Sequence, residues 1–396
     1  MDKTDIPAGF RFSGLASGIK KSGKLDVALI VSDAPARCAG VFTQNRVIAA
    51  PLLVTKPNVA AGMCQAILVN SGNANACTGV AGMDVAEKTA DLVAAALEIS
   101  PDLVAVASTG VIGELLPFAP FVEATPKLVE ALSADKASVV AEAMMTTDAF
   151  PKLATAVENG GQNYKILGLA KGAGMIHPNM ATMLGFVCTD AQVYPNLLNS
   201  ALSQAVKKSF NSITVDGDTS TNDMVLVLAN GAAGSPVITP NTPEATIFTA
   251  HLERVLLDLA KMIVRDGEGA TKLVEIKVVG AKNSAAARTA ARSVATSSLV
   301  KTAFFGEDAN WGRIIAAVGY SGIDVDQEKI DIRFNDIPVA VHGLALGSEQ
   351  EAAATEVLHR DEFVVTIDLH QGDAESSYYT SDLSYEYVKI NADYRT

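Results

Sequence analysis

The chain has 396 residues, 49% of them hydrophobic and 19% charged, which is ample for a large core and leaves no long polar segment of the kind that stays disordered. Its formal net charge of −13 argues against a nucleic-acid or anionic-membrane partner, since both reward basic patches. Residues 1–9 lack the apolar stretch of a secretory signal, and no run reaches the ~18 to 20 apolar residues of a membrane span, so a cytoplasmic protein is expected.

In chain order, strand-length apolar runs occur at 27–31, 66–69, 103–107, 183–187, 224–228, 274–279 and 363–367. Longer amphipathic stretches at 85–97, 127–145, 197–209, 246–264 and 284–295 read as helices, and 385–390 reads as a last strand. The alanine-rich run from 281 keeps helical apolar spacing, unlike a flexible spacer. Strands and helices mixed along the whole length indicate an α/β or layered α+β body, with no internal repeat and no low-complexity linker. Length allows two or three domains, or one large body with a smaller one appended. Cys38, Cys64, Cys77 and Cys188 show no CxxC spacing and the histidines no HExxH pair. Buried, reduced thiols are therefore expected, with neither disulfide nor metal site.

The segment 171–186, KGAGMIHPNMATMLGF, sets Thr182 between a glycine-rich loop and an apolar strand. A chain cut between Ala181 and Thr182 would carry a free amine beside its own hydroxyl, a base placed to activate a weak oxygen nucleophile. On spacing alone, a loop-to-strand turn with a surface threonine is the stronger reading. His177 precedes Pro178 and would lie on the other side of such a cut, which argues against it as the general base.

Thr109 and Gly110 follow the 103–107 run, where amides and a hydroxyl could be held rigidly towards an oxyanion, or could simply end the strand. Lys171 could pair with a carboxylate or be solvated. Glu268 sits in a glycine-flanked turn after a long helix, open equally to ligand or solvent. Two tempting motifs fail. Residues 168–174 (GLAKGAG) have the glycines and lysine of a phosphate loop in the wrong order. Residues 216–223 (DGDTSTND) lack the sixth-position glycine and twelfth-position glutamate of a calcium loop, so a hydrogen-bond-rich turn near the active site is expected there.

Read together, 39–46 (AGVFTQNR), 70–79 (NSGNANACTG), 108–113 (STGVIG), 146–148 (TTD), 171–186, 266–272 (DGEGATK), 306–313 (GEDANWGR), 390–396 (INADYRT) and the opening segment resemble one family nearly end to end. It is the ornithine acetyltransferases, the glutamate N-acetyltransferases of the cyclic arginine pathway. The resemblance implies an α/β fold, a layered αββα sandwich with two sheets packed between helical layers and a smaller second domain, shared with certain self-processing aminopeptidases. It implies self-cleavage at Ala181–Thr182 into an α fragment 1–181 and a β fragment 182–396, intertwined in one catalytic body and assembled as an α2β2 heterotetramer.

By the same resemblance Thr182 is the nucleophile, and Thr109 and Gly110 form the oxyanion hole. Thr146, Lys171, Thr182, Glu268, Asn391 and Thr396 fall on substrate-contacting positions. The expected reaction moves the acetyl group of N2-acetylornithine to glutamate by ping-pong kinetics through an acetyl-Thr182 ester, with no cofactor and no metal. Some relatives also acetylate glutamate from acetyl-coenzyme A, and no motif in the sequence separates the two kinds. The abrupt end at Thr396 fits a terminus working in a pocket and, equally, a tidily ended domain. The competing function is a self-processing aminopeptidase or amidohydrolase of the same fold, with water as the acceptor. A binding protein without turnover would remain one uncleaved chain.

Overall fold

Apolar residues that alternate along the early strands become two covered faces of one sheet in the computed structural model, which describes residues 5–177 and 183–393. Contacts divide the chain into two units, Met1–Asn211 with Asp218–Ile263, and Ser212–Gly217 with Val264–Thr396. The first holds β1 (Phe10–Leu15), β2 (Val27–Phe42), β3 (Met63–Asn73), β4 (Val104–Val111), β5 (Lys152–Val157), β6 (Lys165–Lys171) and β7 (Leu184–Thr189). After β8 (Ile213–Thr214), which belongs to the second unit, β9 (Met224–Ala229) returns to the first. The strand order is β4-β3-β2-β9-β7-β6-β5, with β1 also on β2. The long β2 joins the two halves: its start pairs with β1 and β3, and residues 37–42 pair antiparallel with β9 after a register shift.

The helices of this unit are α1 (Ala50–Ala60), α2 (Gly79–Leu97), α3 (Ala119–Glu130), α4 (Ala137–Met144), α5 (Pro195–Lys208) and most of α6 (Pro243–Arg265). Period-two alternation sends Val27, Leu29, Leu68 and Val106 into a layer with α2 and α3. Their neighbours Ala28, Ile30, Ile67 and Val69 enter another with α4, which also takes Leu167 and Phe186. On β6, Val255 and Leu259 of α6 lie directly over Gly168.

The second unit carries β10 (Leu273–Ala281), β11 (Asp331–Phe334), β12 (Ile337–Val341), β13 (Leu344–Ala345), β14 (Glu362–Asp368) and β15 (Ala374–Ser381), ordered β13-β12-β11-β14-β10-β15-β8. Ile276, Val278, Ile332 and Ile367 bury one face against α7 (Ser284–Ala295), α8 (Ser298–Phe305), α9 (Trp311–Gly319) and α10 (Ser348–Leu358). The Asn283 side chain caps α7 by accepting from the Ala286 amide. The last helix is α11 (Tyr385–Ala392). Two sheets with helical layers give the α/β class expected from the sequence.

Four expectations need correction. The 127–145 helix is two helices, because Ser133 exchanges backbone hydrogen bonds with Phe12 of β1 (2.9 and 3.0 Å) and pulls the chain out of α3. Residues 385–390 form α11, not a strand. The β15 ladder on β10 ends at Ser381 opposite Leu273, and Asn391 Nδ2 instead reaches back one turn to the Tyr387 carbonyl (3.0 Å). The run at 103–107 continues as strand to Val111 by pairing with β3. Cys38, Cys64 and Cys188 are buried thiols as expected, whereas Cys77 is exposed in a left-handed turn (φ 59°). Among the described residues no helix is long and apolar enough to cross a membrane, and no cluster of His, Cys, Asp or Glu is placed to hold a metal.

Candidate active site

At the ends of β3 and β4 an asparagine-rich turn fixes the backbone. Asn70 Nδ2 donates to the Asn73 carbonyl (2.9 Å), and Ser108 Oγ donates to Asn70 Oδ1 (2.6 Å). Asn222 Nδ2 crosses from the 216–223 turn to the carbonyls of Ala74 (2.6 Å) and Ser108 (2.9 Å). That turn is the hydrogen-bonded structure expected of it. Gly110 holds φ +134°, and a Cβ there would meet the Gly72 carbonyl carbon at 2.4 Å, so position 110 admits only glycine without moving the backbone. Thr109 and Gly110 thus sit inside the last turn of β4's ladder, more firmly held than a free strand end.

Lys171 is the final residue of β6, not part of the loop expected from the sequence. It is buried, and its Nζ donates to Thr146 Oγ1 (2.7 Å) and Thr109 Oγ1 (3.2 Å), with Asp148 Oδ2 at 3.9 Å. Asp148 Oδ1 accepts from Lys152 Nζ (2.8 Å) and from the Gly172 amide (2.7 Å), and Oδ2 accepts from the Thr146 amide (2.9 Å). Burial alone would raise the Asp148 carboxyl; the charges of Lys171 and Lys152 with these hydrogen bonds overcome it and hold the group well below the usual carboxylate range. Lys152 is fully buried, with its Nζ 4.9 Å from the Phe150 ring centroid. Two lysines against one carboxylate leave the cluster net positive, suited to an anion.

Lys20 borders the same region. Its Nζ donates to the carbonyls of Leu25 (2.8 Å) and Met145 (2.7 Å), and burial brings its pKa down to about 8, with Asp26 opposing and the charge of Lys171 assisting.

In the second unit, Glu268 is buried in the turn after α6 and accepts from Asn391 Nδ2 (2.8 Å). Gly269 (φ +68°) lets α11 approach, because a Cβ there would stand 2.5 Å from the Tyr387 amide nitrogen. Ser384 Oγ donates to the Gly269 carbonyl (2.6 Å) and pins the start of α11 to the turn.

Among the expected site residues, Thr109, Thr146 and Lys171 come together with Gly110 alongside, and Glu268 meets Asn391. Ala181, Thr182 and Thr396 lie outside the described residues. Met183, next along, accepts the Met224 amide at its carbonyl (3.2 Å), and the His177 carbonyl accepts from Thr219 Oγ1 (2.9 Å). Sequence reasoning missed Asp148, Lys152 and Asn222 as site residues. Asp148 belongs to the TTD segment, the one available signal; a lysine such as Lys152 reads as solvated until its partner is known.

The model of the ArgJ family matches residues 11–396. The arginine biosynthesis bifunctional protein ArgJ of Syntrophotalea carbinolica is 62% identical over 389 residues, 98% of this chain and 99% of that one. Its namesake in Geobacter sulfurreducens is 55% identical over the same shares. Among solved structures, the arginine biosynthesis bifunctional protein argJ of Bacillus halodurans is 46% identical with a TM-score of 0.50, matching 51% of this chain and 95% of its own.

Proposed function

Because the chain belongs to the ArgJ family across residues 11–396, we propose that it transfers the acetyl group of N2-acetyl-L-ornithine to L-glutamate in arginine biosynthesis, using Thr182 as nucleophile after cleavage at Ala181–Thr182. The observation that carries the reading is the convergence of Thr109 and Thr146 on the fixed cation of Lys171, which ends the strand that pairs with β7.

In the maturation step Thr182 Oγ attacks the Ala181 carbonyl, the C–N bond breaks as the C–O bond forms, and water hydrolyses the ester. Fragments 1–181 and 182–396 result. The cut lies between antiparallel neighbours β6 and β7 of one sheet, so the pieces would stay interleaved: β6 on β7, and β2 on β9. The Bacillus halodurans chain, matched over 95% of its length but over 51% of this one, has the proportion of a single such fragment.

In turnover the Thr182 amine takes the Oγ proton, Oγ attacks the acetyl carbonyl, and ornithine leaves with that proton on its N2. Thr109 and the Gly110 amide are the assigned oxyanion donors, held where they need not reorganise as charge develops. Glutamate's amine then takes the acetyl group from the ester. Thr146, Lys171, Glu268, Asn391 and Thr396 are assigned to substrate, with Lys171 the natural partner of an α-carboxylate. Every group in this scheme, the Thr182 amine and the Gly110 amide included, belongs to the chain itself. The relatives are named bifunctional; we take acetyl-coenzyme A as a second donor to the same threonine, and an α2β2 assembly as the working form.

Intact mass under denaturing conditions tests the reading on wild type beside Thr182→Ala. Two fragments joining at 181/182 in the wild type alone, with glutamate accelerating decay of the acetyl ester, are the expected results. A single 41.2 kDa chain in both removes the amine base and the mechanism, and ester decay indifferent to glutamate makes the protein a hydrolase.

A further inference from the structure

Lys20 comes to the site from the segment between β1 and β2, which a buried aspartate holds in one shape. The Asp26 carboxylate accepts from the amides of Ser17 (2.6 Å), Gly18 (3.1 Å) and Lys20 (2.9 Å), and the Asp26 carbonyl accepts from the Ser71 amide (2.8 Å), which fastens the segment to β3. The stem of Lys20 runs over Gly72 (φ +95°), where a Cβ would stand 3.0 Å from its Cγ. Gly72 is also the residue against which Gly110 packs. Beyond it the ammonium donates to the carbonyls of Leu25 (2.8 Å) and Met145 (2.7 Å). Met145 ends α4, and its carbonyl shares a peptide unit with the Thr146 amide, which donates to Asp148 Oδ2 (2.9 Å). One peptide group is thus gripped at both poles, by a cation on its oxygen and a carboxylate on its N–H. Such charge-assisted hydrogen bonds are roughly twice as strong as neutral ones. The side chain beside that peptide is Thr146, whose Oγ1 accepts from Lys171 Nζ (2.7 Å).

We propose that Lys20 is a positioning residue for acetyl transfer: by holding the Met145 carbonyl it fixes Thr146 in the pose that meets the substrate. The proposal rests on the reading above that Thr146 contacts substrate. A lysine that only closed its own segment would need the Leu25 carbonyl alone; the bond to Met145 spans 125 positions of chain and ends next to the site. The charged groups bearing on Lys20 are Asp26 and Lys24 from its own segment, Lys171 from β6 and Asp148 beyond α4. Burial, with the two lysines, outweighs the two carboxylates and lowers its pKa to about 8. The charge is therefore present below that pH and lost as pH rises through it. The neutral amine still donates, but its grip on the Met145 oxygen is weaker without the charge.

The test compares Lys20→Met and Lys20→Arg with wild type by intact mass, thermal unfolding, and kcat and KM for acetylornithine between about pH 6 and 10. Wild-type KM should rise above about pH 8, where Lys20 loses its charge. Lys20→Met should raise KM about tenfold at neutral pH, with kcat held, and that KM should then be flat across the range. Lys20→Arg stays charged throughout and should show no rise near pH 8. It decides the question by itself if Lys20→Met does not fold or is not cut. A folded, cut Lys20→Met with the wild-type KM, a loss confined to kcat, or a KM rise near pH 8 that persists in Lys20→Arg overturns the proposal. Wild type that moves no acetyl group from acetylornithine sinks the reading on which the proposal rests, whereas wild type that transfers normally beside any of those three results sinks this proposal alone.

Discussion

Lys171 is buried at the end of a paired strand and faces Thr109, Thr146 and Asp148, whereas Asn391 is exposed on a helix that buries no residue and holds Glu268 through one hydrogen bond. The first arrangement is fixed by a sheet, a buried ion network and a backbone approach that only glycine permits. The second hangs on a turn and a short helix. Rigid placement matters where charge develops during reaction, since donors that must reorganise lose most of their effect. A contact that only recognises substrate tolerates more play, and such contacts are drawn from the less stable parts of a protein.

The comparison breaks first at Asp148. Asp148→Ala leaves Lys152 buried without its carboxylate, so unfolding free energy in urea should fall by about 3–5 kcal/mol, with activity lost alongside. The sign in pH follows from a folded-state pKa depressed below the unfolded value of about 3.9. The stabilisation is complete above that value and disappears as pH falls through the folded pKa. The wild-type advantage over Asp148→Asn should therefore be constant from pH 5 to 7 and shrink only below about pH 4. A difference that already fades at pH 6 would mean Asp148 is not the ionised centre of the network.

Gly110→Ala tests the backbone half of the same region. Cleavage and transfer should both fall by about 10²–10³-fold, measured as fragment appearance over time and as acetylornithine turnover; unchanged rates would remove Gly110 from the oxyanion site. Lys171→Met should lower kcat/KM by about 10²-fold, and Lys171→Arg should not restore it, because a planar guanidinium does not reproduce a point charge between two hydroxyls. Asn391→Ala is the mildest. KM should rise about 2- to 10-fold while the thermal midpoint stays put, and a lowered midpoint would make this contact structural after all.

The two regions also differed in how far they could be read in advance. Thr109, Gly110 and Thr146 lie in short segments of common small residues, and only the family resemblance of the whole set of segments singled them out. Lys171 was found as a residue but misplaced in a loop, since β6 shows its strand only through pairing with β5 and β7. Tyr385–Ala392 alternates enough to imitate a strand, and became a helix because no ladder partner was left for it.

What the sequence alone determined was the α/β class, most of the apolar strands and long helices, and the family pattern from which Thr182 and its companions were named, because periodicity and short motifs are local properties. Tertiary structure decided which polar residues inside that frame are paired: Lys152 with Asp148, Asn222 with Ser108, Glu268 with Asn391, and Lys20 with Met145. Burial and the charge of distant neighbours set these relations, and neither is a property of any one stretch of chain.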